Sequence, residues 1–278
     1  MNRALVLLAA VLLAGCDTKS SGPPVAAPSS AQSSAAAPPA APSAPPADSV
    51  AAQAAAPGQA VSFPSGGNGW LGVPATPGKH PAILVIQEWW GVTDWIKQDV
   101  ARFASQGYVA LAVDLYRGKA TSDPGEAHEL MRGLPEDRAM GDMKAGFDWL
   151  AARPDVDPQR IGIIGWCMGG GYALAFAVAE PRLKAAVVNY GRLVTDPAKV
   201  DAIHAALLGN FAGLDRGIEP KDVQAFADTL KKDHKDADIK VYDGAKHAFM
   251  NPNSKEGYDE AAAKDAWTRI DGFFSHKL

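Results

Sequence analysis

Six short apolar runs constrain this chain more than any other feature. They lie at residues 82–86, 108–113, 161–165, 185–190, 204–209 and 239–242. Runs this short, apolar at nearly every position and rich in valine and isoleucine, read as strands buried on both faces. Segments with helical spacing separate them. Residues 94–106 put Trp95, Ile96, Val100 and Phe103 on one face, and Gly107 stops the pattern. Residues 140–152, 170–179, 220–232 and 255–276 also read as helices, with Pro220 suited to a first turn. The alternation predicts an α/β fold, a mainly parallel sheet with helices on both faces. Such sheets bind ligands beyond the carboxyl ends of their strands.

Composition divides the chain. Between residues 20 and 57 it is almost wholly Ala, Pro, Ser and Gly, with nine prolines, whereas all seven Trp lie beyond residue 57. The first stretch has too little apolar surface to offset its ordering entropy. It reads as a disordered, semi-stiff linker over residues 16–57, ahead of one domain at 58–278. Residues 1–15 read as a secretory signal: Arg3 supplies the positive end, and the apolar run at 4–14 is too short to span a bilayer. That run ends in Leu13-Ala14-Gly15-Cys16, which resembles a bacterial lipoprotein signal. Cys16 is therefore the expected lipidation site. The expected location is the cell envelope, anchored to a bacterial membrane, with the domain outside the cytoplasm.

The net charge of −4 argues against a nucleic-acid partner. With only Cys16 and Cys167, a disulfide scaffold is excluded. No cofactor motif and no metal-ligand cluster is present, so neither a cofactor nor a metal is expected. The domain is expected to act as a monomer.

Chemistry concentrates after the strands. The third is followed by Gly165-Trp166-Cys167-Met168-Gly169-Gly170, the G-x-S-x-G spacing with Cys in place of Ser. That spacing builds a sharp strand-to-helix turn that exposes the nucleophile, and the helix N-terminus favours a thiolate. His247 follows the last strand, where it can reach the turn as a general base. Asp215 follows the fifth and can fix the imidazole tautomer. Asp243 competes for that role, but it sits at a strand end only four residues from His247. Nucleophile, acid, base is the chain order of α/β-hydrolases. Glu88 follows the first strand, and the backbone N–H groups of Trp89 and Met168 are candidates for an oxyanion hole. Arg117, Tyr190 and Asn251 are candidate substrate-binding residues.

Gln87-Glu88-Trp89-Trp90-Gly91, Val113-Asp114-Leu115-Tyr116, the glycine-rich turn at Cys167 and Gly244-Ala245-Lys246-His247-Ala248-Phe249 together resemble the dienelactone hydrolase family, over about residues 60–278. The resemblance implies an α/β-hydrolase fold and a carboxymethylenebutenolidase-like activity on a small ester or lactone. It implies that Cys167 is the nucleophile, His247 the base and Asp215 its orienting acid. It also implies that Glu88 pairs with the resting thiol and controls its ionisation. The family's arginine for a substrate carboxylate is missing: Asn251 occupies that neighbourhood, and Arg117 and Arg132 have no clear counterpart. A thiolate nucleophile would form a thioester, which favours activated lactones, aryl esters and thioesters over alkyl esters. A thioesterase, a peptidase-like relative or a non-catalytic ligand-binding lipoprotein are the competing readings.

Overall fold

The computed structural model describes residues 58–278, and the expected signal, linker and Cys16 lie outside them. Eight strands form one sheet in the order β1-β2-β4-β3-β5-β6-β7-β8. These are β1 (Gln59–Phe63), β2 (Gly67–Gly72), β3 (His80–Ile86), β4 (Val109–Val113), β5 (Val156–Trp166), β6 (Ala185–Asn189), β7 (Ala206–Ala212) and β8 (Ala237–Tyr242). From β4 to β8 every pairing is parallel. The β1–β2 hairpin joins antiparallel, against β4.

The apolar runs are continuous because each strand feeds two cores. In β3, Ala82, Leu84 and Ile86 face one core, while Ile83 and Val85 face the other. The first core is closed by α3 (Glu136–Ala151), α4 (Met168–Ala179) and α6 (Pro220–Lys232). The second is closed by α1 (Asp94–Ser105) and α7 (Glu260–Lys277). A two-residue side-chain period with both sets buried is what helices on both sheet faces require. Two short helices, α2 (Pro124–Arg132) and α5 (Pro197–Asp201), complete the chain. None of the helices among the described residues is long and apolar enough to cross a membrane.

The expected elements are present, with differences that have physical causes. The β1–β2 hairpin is not legible in sequence because Gly67, Asn68 and Gly69 read as a loop. Gly69 belongs in a strand here because a Cβ would stand 2.3 Å from the Ala112 carbonyl oxygen. β7 runs to Ala212 rather than ending at Gly209, through Asn210. That asparagine is tolerated in the buried strand because its Nδ2 donates to Asn189 Oδ1 at 2.8 Å. The last helix begins at Glu260 rather than 255, where the Asp259 side chain accepts from the Ala262 N–H at 3.0 Å. The charged helix α2 buries only Ala127, so it carries no apolar stripe to find.

Candidate active site

Cys167 stands between β5 and α4 with φ 54° and ψ −118°. A non-glycine residue with positive φ is strained, and such residues collect at functional sites. The turn is held by the Cys167 N–H donating to the Asn189 carbonyl at 3.0 Å, and by the Gly171 N–H donating to the Cys167 carbonyl at 3.2 Å. Its glycines are steric necessities. A Cβ on Gly165 would lie 2.1 Å from the Gly169 carbonyl oxygen, and one on Gly169 would lie 2.4 Å from the carbonyl oxygens of Gln87 and Ile86. The first turn of α4 is thus pressed onto the ends of β3 and β5. This leaves the half-buried Cys167 at the N-terminus of α4, where backbone N–H groups lack helical partners. Met168 is the first residue of α4, and its thioether accepts the Tyr116 hydroxyl at 3.3 Å.

His247 lies in the loop after β8, and its Nδ1 meets Asp215 Oδ2 at 2.6 Å. Asp215 lies just beyond β7, and its Oδ1 accepts the N–H groups of Gly217 at 2.9 Å and Ile218 at 3.1 Å. Burial opposes ionisation of Asp215, but His247 and these N–H donors outweigh it and hold the carboxyl below its usual range. For His247, burial works against the charged ring, while the hydrogen bond with Asp215 and the nearby Cys167 side chain outweigh it and raise the pKa. Asp243, the competing acid, is exposed at the end of β8.

Glu88, at the end of β3, is 2 % exposed. Its Oε2 accepts Asn251 Nδ2 at 2.6 Å, and its Oε1 accepts the Tyr190 hydroxyl at 3.5 Å. Burial raises its pKa to about 7, against the opposing pull of Asn251, His247 and Tyr190. Asn251 and Tyr190 are both buried. Both side chains bond Glu88. Tyr190 has φ 38° and packs its ring against His247 at 5.2 Å and Phe249 at 5.3 Å. The guanidinium of Arg117, the expected clamp, bonds the buried Asp142 of α3 at 3.1 Å. Arg132 bonds Glu129 on the exposed side of α2 at 2.8 Å.

Trp89 follows Glu88 in a turn closed by the Gly91 N–H donating to the Glu88 carbonyl at 3.3 Å. The Trp89 ring packs against Trp90 at 4.7 Å and against His128 of α2 at 6.4 Å. Two residues beneath the site escaped sequence reasoning. Asn189 and Asn210 are register partners on β6 and β7, and Asn189 Nδ2 donates to the Gly165 carbonyl at 3.2 Å. This buried ladder ties three strand ends under the Cys167 turn. The signal was an asparagine at the end of each of two adjacent apolar runs. No group of three or more metal-ligating side chains occurs among the described residues.

A mainly parallel sheet covered on both faces, with a strained turn after β5 and a carboxylate and an imidazole after later strands, is the α/β-hydrolase fold. Residues 68–278 match the model of the Dienelactone hydrolase family, and the chain belongs to that family. Among curated relatives, Protein usf of Aquifex pyrophilus is 34 % identical over 233 residues, covering 80 % of this chain and 99 % of its own. A Salmonella typhi protein provisionally named carboxymethylenebutenolidase is 35 % identical over 215 residues, covering 72 % of this chain and 79 % of its own. Among solved structures, a provisionally assigned dienelactone hydrolase from Klebsiella pneumoniae superposes with a TM-score of 0.71 at 30 % identity, covering 78 % of this chain and 98 % of that one. A dienelactone hydrolase-like promiscuous phosphotriesterase from metagenomic libraries gives a TM-score of 0.74 at 25 % identity, covering 81 % and 99 %.

Proposed function

We propose that this protein hydrolyses activated carboxylic esters or lactones through a Cys167–His247–Asp215 triad and a thioester acyl-enzyme. One observation supports this most. A cysteine on a strained turn at a helix N-terminus is accompanied by an imidazole that meets a buried carboxylate at 2.6 Å. The Cys167 thiolate attacks the carbonyl carbon, and the Met168 and Trp89 N–H groups receive the developing oxyanion. Collapse expels the alkoxide or aryloxide, protonated by His247. A water deprotonated by His247 then cleaves the thioester and returns the thiol. A thiol has an ordinary pKa of about 8.5, so the tetrahedral intermediate expels it more readily than an alkoxide. Aryl esters, enol lactones and thioesters are therefore the favoured substrates.

The test is a panel of lactones, aryl esters, thioesters and alkyl esters, each assayed with wild type and Cys167→Ala. An aryl phosphotriester belongs in the panel, because one structural relative is a promiscuous phosphotriesterase. Turnover that survives loss of the thiol would overturn the proposal. Against a non-catalytic binding role, alkylation of Cys167 by a thiol reagent is expected to abolish turnover in step with labelling.

Neutral substrates should be preferred. A desolvated carboxylate needs a bidentate cationic partner. Asn251 is engaged by Glu88, Arg117 by Asp142 and Arg132 by Glu129. Comparing kcat/KM for a neutral aryl ester and a carboxylate-bearing enol lactone checks this. A preference for the acid of about tenfold or more, roughly 1.4 kcal/mol, would overturn it.

The Leu13–Cys16 motif supports a further part of the proposal: the mature chain begins at acylated Cys16 and stays with membranes. Cys16→Ala is expected to abolish labelling by radioactive palmitate. Undiminished labelling would remove the anchor.

A further inference from the structure

We propose that the cleft between α1, the loop after Phe249 and α7 binds a small organic cation with an aromatic or apolar body, held by Asp99. The cleft has a volume of about 390 Å³ and is lined by Trp95, Asp99, Met250, Tyr258, Lys264 and Trp267, among others. That size suits a small molecule. It lies on the α1–α7 side of the sheet, against the same core that Cys167 borders.

Asp99 is the group that needs explaining. It is 6 % exposed, and its Oδ2 is buried with no hydrogen-bond partner among the described residues. Buried carboxyls ordinarily gain donors or a cation. Neither cation of α1 bonds Asp99, although the buried Arg102 Nε also has no partner among the described residues. Lys97 bonds Asp94 at 3.3 Å and lies over the Trp70 ring. Arg102 bonds Asp271 at 2.7 Å and lies 4.2 Å from the Trp267 ring centre. Burial pushes the Asp99 carboxyl well above its usual range, Arg102 pulls it down, and Glu88 pushes it further up. In the free protein Asp99 is thus held towards its neutral form.

The walls choose the partner. Trp95 and Trp267 both pack on Trp166, at 5.3 Å and 5.9 Å, which fixes their rings, and the exposed Tyr258 stands at the mouth. Aromatic faces attract cations, most strongly when both are partly desolvated. Met250, Pro252 and Ala263 offer apolar contact to the rest of the ligand. At the rim, Glu260 and Lys264 are both exposed and opposite in charge, so Asp99 decides the sign. Binding an ammonium ion converts the neutral Asp99 carboxyl to a carboxylate. One O–H bond breaks, and its proton passes to the buffer.

Calorimetric titration of the full chain near neutral pH, in two buffers of different ionisation enthalpy, tests this with phenethylammonium and its uncharged analogue 2-phenylethanol. Saturable phenethylammonium binding with proton release is expected, and the alcohol should bind about tenfold more weakly or worse. Asp99→Asn keeps the shape and should lose about tenfold or more in affinity, while Lys264→Ala should bind as well or better. The wild-type proton count stands whether or not the Asp99 variant folds. Absence of saturable binding, binding without proton release, equal affinity for the alcohol, or full affinity in a folded Asp99→Asn would each overturn the proposal.

Discussion

Replacing Cys167 or His247 by alanine is expected to lower kcat/KM for a neutral aryl ester by on the order of 10³ or more, because residues that act as a unit fail together. The two losses should not add: the double variant is expected to fall about as far as either single one. Asp215→Asn should also be severe. The carboxylate fixes which imidazole nitrogen carries the proton, and an amide in its place presents the wrong tautomer. The three hydrogen bonds that Asp215 accepts, from His247, Gly217 and Ile218, make it the internal support of the ring. Asp243→Asn should be mild, since that side chain is exposed at a strand end. Steady-state kinetics on the four single variants checks all of this. A severe Asp243 variant beside a mild Asp215 variant would reverse the assignment of the acid.

Removing the charge of Glu88 should change how stability depends on pH. Burial raises its pKa to about 7 in the folded protein, from 4.5 for an ordinary glutamate. The folded state therefore binds the Glu88 proton more tightly than the unfolded chain does. That contribution is fully present below about pH 4.5 and is lost as pH rises through about 7. The loss is roughly 3 kcal/mol at most, since each tenfold difference in proton affinity is worth about 1.4 kcal/mol. Glu88→Gln keeps the shape and an oxygen to accept from Asn251, but has nothing to ionise. The stability difference, variant minus wild type, is expected to grow between about pH 5 and pH 7 and then level off. Denaturant unfolding at a series of pH values measures it. A difference that stays flat across that window would mean that Glu88 titrates as an ordinary surface acid.

Much of the molecule was legible because its signals are local. A strand buried on both faces leaves a continuous apolar run, as at residues 82–86. A helix packed on one face leaves a stripe, as with Val223, Phe226 and Leu230 in α6. A turn that must press a helix end onto strand ends leaves glycines, as around Cys167. The geometry at Gly165 and Gly169 supplies the reason: a Cβ there would collide with backbone, which cannot move aside. The candidate acid and base were found by the same logic, as polar residues directly beyond apolar runs.

Other features left no local trace. Glu88 meets Tyr190 102 residues away and Asn251 163 residues away, so nothing near Glu88 in sequence announces either partner. The sequence offered Asn251 as a substrate contact, and the bond from its amide to Glu88 is visible only in the fold. Arg117 likewise follows β4 at the expected place, and its left-handed backbone, φ 55°, accompanies a side chain bonded to Asp142 on α3.

The sequence by itself determined the α/β class, the order of the principal elements, and which residues stand beyond the strand ends. Burial and backbone sterics act on neighbouring residues and are written as period and spacing. Only the tertiary structure decided the strand order, the antiparallel β1–β2 edge, the Asn189–Asn210 ladder, the partners of Glu88 and the orphaned Asp99. These depend on hydrogen bonds and close approach between segments far apart in the chain. Such pairings are selected by the whole packed arrangement, and no local pattern of residues encodes them.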